Sequence, residues 1–433
     1  MSKKVLIIGA GISGLVAAYI EAKKGNKVEI FDSEDRAGGL LKSYKFANNY
    51  VDIGTHFISP TGIDFLDNFL LGDIDENDFN IQNIVHNSNY FQGKLSNISG
   101  YVNSHSLEEK KYLQGCLDLI HLKDLEYESL EHFTLSKFGL TFYEEIFKKV
   151  YLKYFHKDPK LISHNMSNFY ETNRLIAFSK EISSELTKSC FFDDRLGHQE
   201  KINGSTNYYP KKGGMSFYID ILIKKLSRLG VKFHFNSSVE KVNLSGKEVQ
   251  SIIVKGKNIN LDRLVWSLPA PLLMIKSGKS VKSTPPHILD VGLYAFLFQR
   301  PLLSDSQYIN VYEPSFFSGR VTLYQNMTKQ DIYTCTVEVL TDSSDNLPSA
   351  DIIISELLQM GIITEKNLCK SKDLRIKEKA IPVFSNQNIK DQEKLLTSYK
   401  SDFINVNIVG QSAEQKFSMI SVIKSVYKIL KNE

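Results

Sequence analysis

The sequence predicts an α/β fold in which a parallel-sheet domain is interrupted by inserted helices and a mostly antiparallel sheet. The first signal is the apolar run of residues 5–8, typical of a parallel strand buried on both faces, which leads into a glycine-rich turn and a helix. Residues 288–298 and 332–340 are rich in β-branched and aromatic side chains, as strands usually are. The 433 residues are 42% hydrophobic and 24% charged, which excludes a disordered or fibrous chain.

Charge and cysteine usage exclude several classes of protein. The 53 basic and 49 acidic residues leave a net charge of +4, which is not the strongly basic footprint of a nucleic-acid-binding protein. Cys116, Cys190, Cys335 and Cys369 show no CxxC spacing, and HxxxH spacing is absent, so neither a disulfide framework nor a metal site is predicted. No segment reaches the roughly 20 apolar residues of a membrane span. We therefore expect a soluble, cytoplasmic protein without a transmembrane segment.

A GxGxxG motif follows the first strand. Gly9 allows a tight turn, Gly11 lets a pyrophosphate approach the backbone, and Gly14 lets the helix pack closely on the sheet. The helix predicted over residues 14–24 directs its positive end at that pyrophosphate. Asp32 ends the second strand, where an acid accepts hydrogen bonds from the adenosine ribose. Strand, turn, helix and acid together predict a Rossmann-like dinucleotide-binding domain.

The segment after Asp32 favours FAD over a nicotinamide nucleotide. A nicotinamide-binding domain would continue into its second helix, whereas here Arg36-Ala-Gly-Gly39 follows and Asp52-Ile-Gly-Thr-His56 comes next. A glycine pair lets the chain pass the phosphates and the ribityl chain, where side chains would collide. Taken alone, the glycine pair would be interpreted as a flexible turn.

These motifs resemble those of the FAD-dependent amine oxidase and protoporphyrinogen oxidase superfamily, which also contains UDP-galactopyranose mutase and the carotenoid desaturases. The family pattern of GAGxSGL, a strand-ending acid, RxGG and a DxGxH-like segment at the isoalloxazine ring occurs here in order. The pattern is nearest to that of bacterial flavoproteins similar to the mutase. Further similar segments are residues 129–177 (in which 153–159 lacks the family's Trp-Gly), 209–215, 237–242, 264–269, 381–383 and 407–410.

The resemblance implies the residues that bind FAD. The backbone near Val239 holds the adenine, and a helix beginning near Met419 directs N–H groups at the flavin. Gln411 replaces the Arg or Asp of relatives, and Ile420 replaces an Asp of many sugar-modifying relatives, so we expect the FAD affinity or the redox potential to differ from theirs. The implied set is Gly9, Gly11, Ile12, Ser13, Gly14, Asp32, Ser33, Arg36, Gly38, Gly39, Leu40, Gly54, Thr55, His56, Val239, Gly410, Gln411 and Met419.

Two residues are candidates for catalysis beyond the flavin's own hydride transfer. By resemblance, His56 lies near the flavin, where it contacts N5 or moves a proton. The equal alternative is a histidine whose hydrogen bonds are satisfied by the backbone. Arg320 occupies the place where mutase-like relatives engage a substrate phosphate, for which an Arg fork is suited. An exposed arginine at a strand end is its alternative.

The resemblance also implies an organisation and a function. We expect a discontinuous FAD-binding domain of residues 1–80, 203–275 and 375–433, with a helical insert over 81–202 and a sheet-containing substrate domain over 276–374. The leading hypothesis is an FAD-dependent oxidoreductase acting on a small molecule, namely a sugar nucleotide or glycan precursor. A mutase-like isomerase that uses reduced flavin and a non-catalytic FAD-binding partner subunit stay open as alternatives. No nucleic-acid partner is expected, and a homodimer is compatible with the sequence.

Overall fold

The computed structural model describes residues 2–123, 126–199, 206–414 and 418–431. The strands are β1 (Lys4–Ile8), β2 (Lys27–Phe31), β3 (Ser43–Phe46), β4 (Asn49–Asp52), β5 (Phe79–Gln82), β6 (Asn87–Phe91), β7 (Lys94–Ser96), β8 (Val102–Asn103), β9 (Leu175–Ile176), β10 (Asn207–Pro210), β11 (Lys232–His234), β12 (Val239–Ser245), β13 (Glu248–Val254), β14 (Lys257–Asn260), β15 (Arg263–Trp266), β16 (His287–Phe298), β17 (Tyr308–Val311), β18 (Ser318–Leu323), β19 (Thr334–Thr341), β20 (Cys369–Val383) and β21 (Val406–Ile408). The helices are α1 (Ile12–Lys23), α2 (Asp64–Leu70), α3 (Glu109–His121), α4 (Leu130–Phe142), α5 (Lys148–Phe155), α6 (Lys180–Leu186), α7 (Cys190–Asp193), α8 (Gly214–Arg228), α9 (Ala270–Lys276), α10 (Tyr324–Thr328), α11 (Ala350–Gln359), α12 (Asn386–Asp402), α13 (Gln411–Glu414) and α14 (Met419–Lys431).

A five-stranded parallel sheet, in the order β11-β2-β1-β15-β21, forms the centre of the molecule. Val5 and Ile7 of β1 pack into a core shared with α1, α8 and α14. Leu6 and Ile8 point to the opposite face, where β12–β13, α9 and α12 cover them. Both faces of β1 are therefore buried, which is why its sequence is a continuous apolar run.

A seven-stranded sheet, in the order β20-β16-β19-β18-β17-β6-β7, lies beside the first. Its neighbours are antiparallel except for the pair β6–β17. One face is apolar, with Phe296 and Val337 packed in the same core as Ile353 and Leu357 of α11. Because side chains alternate along a strand, the other face carries the polar residues of β17, β18 and β19. We call this face, which carries Asn310, Arg320, Thr322 and Glu338, the polar face.

The segment predicted as a helical insert contains strands as well as helices. Helices α3, α4 and α5 form there, but residues 87–96 form β6 and β7 and extend the seven-stranded sheet. The strand β6 begins with three polar residues, and its buried Ser88 and Asn89 form hydrogen bonds with Ser306 and with the carbonyl of Ser99. Tertiary pairing thus overrides a pattern that lacks β-branched residues. The division into domains stays a prediction, and the expected boundary at 375 falls within the continuous strand β20.

In the described part of the chain, no helix combines the length and the apolar character needed to cross a bilayer.

Candidate active site

The turn between β1 and α1 has room only for glycine at two positions. Gly9 has a φ of +100°, and a Cβ on Gly14 would lie 1.9 Å from the carbonyl oxygen of Gly9. Gly11 differs, because a Cβ there would have no atom within 4 Å. It is the N-cap of α1 and provides no side-chain cap, so the first N–H groups of the helix remain for a ligand. This arrangement fits the pyrophosphate of a dinucleotide.

Asp32 lies at the edge of the same turn. Its carboxylate accepts hydrogen bonds from the backbone N–H of Ala10 at 2.6 Å and of Glu34 at 2.8 Å. Each oxygen keeps a lone pair, so the carboxylate can still accept a ribose hydroxyl. The N–H of Ser237 donates to the carbonyl of Asp32 at 2.7 Å, which brings the buried Val239, two residues further on, close to this acid.

The second glycine pair is fixed against the first turn. The N–H of Gly38 donates to the carbonyl of Ala10 at 2.9 Å, and Gly38 forms a bridge with Gly11. Gly38 and Gly39 have φ values of +124° and +58°, and a Cβ on Gly39 would lie 3.3 Å from the Cα of Gly11. The pair therefore occupies a defined position beside the N-terminus of α1.

Three predicted cofactor residues have exposed or partly exposed side chains. Ser33 and Leu40 are exposed. Arg36 lies 3.5 Å from Asp220 of α8 in an ion pair that is itself exposed. Among the described residues, we find no contact between these side chains and the glycine turn. Their part in FAD binding remains a prediction.

The C-terminal block returns to the same turn. Gly410 has a φ of +84°, and a Cβ on it would lie 2.8 Å from the Oγ of Ser13. Gln411, which follows, begins α13. Met419 begins α14, whose first turn is capped by Ser418, since its Oγ accepts the N–H of Ser421 at 3.2 Å. Gly410 thus adjoins the start of α1 and Gln411 follows it, while the part of Gly410, Gln411 and Met419 in FAD binding remains a prediction.

Asp52 is a buried centre of hydrogen bonds that sequence reasoning missed as a functional residue. Its carboxylate accepts the hydroxyl of Ser43 at 2.5 Å, the hydroxyl of Tyr209 at 2.6 Å and the N–H of Met215 at 3.0 Å. Its own N–H donates to the hydroxyl of Tyr324 at 2.7 Å. Burial raises the pKa of Asp52, although these hydrogen bonds oppose that rise. The DxGxH motif was the available signal, and the structure shows that its acid fixes the loop of residues 53–56.

We expect the Asp52→Asn substitution to lower the free energy of unfolding by about 2 kcal/mol, because an amide NH2 would face a buried donor. Chemical denaturation followed by circular dichroism measures this. Asp220→Asn is the matched control, since Asp220 is 53% exposed and its ion pair contributes little. An equal effect of the two substitutions would contradict the role assigned to Asp52.

His56 and Thr55 connect this loop to its surroundings. The Nε2 of His56 lies 3.0 Å from the carbonyl oxygen of Ile53, so Nε2 carries the proton. The backbone therefore satisfies one ring nitrogen, and within the described residues Nδ1 has no partner. The hydroxyls of Thr55 and Thr322 are hydrogen-bonded, which places the loop directly against the polar face.

Arg320 lies on the polar face and is not an exposed strand-end residue. Its Nε donates to the Oδ1 of Asn310 at 3.0 Å, and its guanidinium lies 4.3 Å from the ring centre of Tyr170 and 5.3 Å from that of Tyr308. Thr322 is two positions further along β18, about 7 Å away along the strand. Arg320 and the loop of residues 54–56 therefore line one region.

Glu338 is the register partner of Arg320 on β19. Its Oε2 accepts the hydroxyl of Tyr170 at 2.7 Å. Among the described residues, the two side chains form no ion pair within 4.0 Å, so the guanidinium Nη groups keep their donors for a ligand. Tyr170 and the following Glu171 have φ values of +46° and +59°. Such strain in side-chain-bearing residues is typical of functional sites.

Comparison with known families and proteins shows the family to which the chain belongs. The model of the family described as flavin containing amine oxidoreductase matches residues 12–287. The 1-hydroxycarotenoid 3,4-desaturase of Flavobacterium sp. (strain P99-3) is 28% identical over 284 residues, which are 58% of this chain and 53% of that protein. The 4,4'-diapolycopen-4-al dehydrogenase of Metabacillus indicus is 25% identical over 281 residues, 60% of this chain and 55% of that protein. The chain spans about half the length of these curated relatives.

Solved structures show the same fold over the whole chain. Reduced UDP-galactopyranose mutase has a TM-score of 0.77 and 16% identity, covering 100% of this chain and 95% of that one. A putative protoporphyrinogen oxidase from Exiguobacterium sp. 255-15 has a TM-score of 0.71 and 13% identity, covering 100% and 98%. The resemblance and the mixed α/β fold predicted from the sequence are both confirmed.

Proposed function

Because the chain belongs to the flavin-containing amine oxidoreductase family, with FAD as its cofactor, we propose that it is an FAD-dependent oxidoreductase. Its substrate binds on the polar face, beside the loop of residues 54–56 that contacts it at Thr322. FAD supplies hydride-transfer chemistry when bound. The glycine turn and Asp32 bind its pyrophosphate and ribose, and Gly410 and Gln411 lie beside the same helix end.

The residues of the polar face support a proposal for the substrate class. The Nη groups of Arg320 keep their donors there, whereas the amide of Asn310 and the hydroxyls of Tyr308 and Thr322 already have hydrogen-bond partners within the protein. Such a fork fits an anionic molecule, since it binds phosphate or carboxylate in two places. A hydrocarbon would leave the Nη donors of Arg320 without partners, which is costly. A sugar nucleotide or glycan precursor is therefore the substrate class that the site supports best.

His56 is the residue that accepts a proton from the substrate. Its Nε2–H is held by the carbonyl of Ile53, so Nδ1 is a base with a fixed orientation. The loop that holds it is anchored by Asp52 and by the contact between Thr55 and Thr322. A proton released from a substrate hydroxyl during oxidation has an acceptor within this loop.

The test begins with the visible spectrum of the purified protein and the mass of its released cofactor. We expect bound FAD, and substrate-dependent bleaching of the oxidised protein by one member of a panel of UDP-hexoses and UDP-hexosamines under anaerobic conditions. Isomerisation of the substrate that occurs only after reduction with dithionite would contradict the oxidoreductase proposal and support a mutase. A colourless protein that takes up no added FAD would contradict both and favour a binding subunit.

A further inference from the structure

A β-bulge in β18 determines the face of the sheet to which Arg320 points. Ser318 lies opposite Val339, whereas Arg320 lies opposite Glu338, so two steps along β18 match one step along β19. Opposed residues point to the same face. Ser318 therefore points to the apolar face with Val339, and Arg320 points to the polar face.

Glycine is required within this bulge. Gly319, between the two residues, would place a Cβ 2.9 Å from Cε2 of Tyr170 and 3.3 Å from the carbonyl oxygen of Glu338. Tyr170 is the ring on which the guanidinium of Arg320 rests. The geometry of the bulge and the position of Arg320 are thus linked.

Lys153 of α5 holds the peptide that precedes the bulge. Its Nζ donates to the carbonyl oxygens of Val311 at 2.7 Å, Glu313 at 2.8 Å and Ser318 at 2.7 Å. These carbonyls belong to the end of β17, the connecting loop and the start of β18. An ammonium group has three donors, and all of them are used here.

Glu356 of α11 binds other groups of the same residue. Its carboxylate accepts the N–H of Phe317 at 2.7 Å, the N–H of Ser318 at 3.0 Å and the hydroxyl of Ser318. Glu356 and Ser318 are both buried. A cation on one helix thus binds the carbonyl of Ser318, and an anion on another binds its N–H and hydroxyl.

We propose that Lys153 and Glu356 are positioning residues that fix the bulge at Ser318 and thereby hold Arg320 on the polar face for an anionic substrate. The inference rests on the proposed function, since it assigns Arg320 to substrate binding. Neither residue touches the site itself. Neutral Lys153 would have only two donors, so one of the three carbonyls that it binds, among them that of Ser318, would lose its partner on deprotonation.

This arrangement makes substrate affinity dependent on pH. Burial lowers the pKa of Lys153 to about 7, while the carboxylates of Glu356 and Glu313 oppose the shift. The ring of Tyr154, on the same helix, lies 5.4 Å from Nζ. We expect affinity to fall as the pH rises through about 7. Global stability changes in the opposite direction, because the unfolded chain, with an ordinary pKa of 10.5, binds more protons than the folded chain between these values.

The experiment compares wild type with Lys153→Met and with the control Lys148→Met, which removes a 42% exposed lysine from the same helix. Binding of UDP-glucose to the FAD-loaded protein is titrated from pH 6 to pH 9. For wild type, affinity should fall about tenfold per pH unit above the pKa of Lys153. The Lys153→Met protein should bind UDP-glucose weakly, with an affinity that does not depend on pH, and its FAD content should be unchanged. The Lys148→Met protein should show the affinity and the pH dependence of wild type.

A second readout does not need a ligand. Amide hydrogen exchange of residues 314–323 should accelerate about tenfold or more in Lys153→Met relative to Lys148→Met, because the peptide of Ser318 loses a partner. Unchanged exchange would overturn the inference. If UDP-glucose does not bind wild type but exchange accelerates, the positioning holds and the substrate class of the proposed function is wrong. If it binds with the same pH profile in both variants, the inference is wrong and the proposed function stands.

Discussion

The Gly11→Ala protein is expected to fold normally and to be purified without FAD. A Cβ at this position meets no atom within 4 Å, and the backbone φ of −71° suits any L-residue, so the fold has no reason to change. The same open space lies beside the free N–H groups at the start of α1, where we propose that the pyrophosphate binds. The added methyl group should therefore weaken FAD binding by about 100-fold or more, a loss of about 2.7 kcal/mol.

The measurements are the absorbance of the purified protein, the affinity for added FAD and the thermal unfolding of the apoprotein. Gly14→Ala is the contrasting variant, because its Cβ would lie 1.9 Å from the carbonyl oxygen of Gly9 and must disturb the packing of α1 on β1. It should lower the unfolding temperature, whereas Gly11→Ala should not. A Gly11→Ala protein that retains FAD with wild-type affinity would show that the cofactor does not lie against this turn.

The glycine turn could be predicted because its signal is local. Gly9, Gly11 and Gly14 belong to one turn, and Asp32 ends the next strand, so spacing alone indicates their geometry. The same holds for Gly38 and Gly39, although only the structure shows their φ values and their contact with the first turn. A site can be predicted from the sequence when the residues that form it are close to one another along the chain.

Long-range partners could not be predicted in this way. The donors to the Asp52 carboxylate include Tyr209 and Met215, which lie 157 and 163 residues away along the chain. Lys153 reaches carbonyls more than 150 residues away, and no side-chain type identifies a carbonyl as its partner. The bulge beside Arg320 depends on the register between β18 and β19. The sequence of β18 alone does not determine that register. The motif of residues 153–159 indicated a family feature but not what its lysine does.

Arg320→Lys and Arg320→Met should each weaken substrate binding by about 100-fold or more while leaving FAD content unchanged. The guanidinium donates through Nε to Asn310 and rests between the rings of Tyr170 and Tyr308, so its Nη groups face the site as a rigid pair. Hydrogen bonds to a charged partner contribute about 1.5–3 kcal/mol each, and two are lost. Lysine retains the charge, but its compact ammonium group lacks the planar fork, so it cannot stack on the rings, bond Asn310 and bind two oxygens at the same time.

Arg375→Met provides the matched control. Arg375 also rests on a tyrosine ring, 4.2 Å from the centre of Tyr44, but it is 55% exposed and lies on β20, three strands from β18. Its loss should change the affinity for UDP-glucose less than about threefold, since exposed charges contribute little. A comparable loss in both variants would mean that general positive charge, not the fixed fork of Arg320, attracts the substrate. Wild-type affinity in Arg320→Met would remove the polar face from the proposed site, because no other described residue of that face was assigned the anionic group.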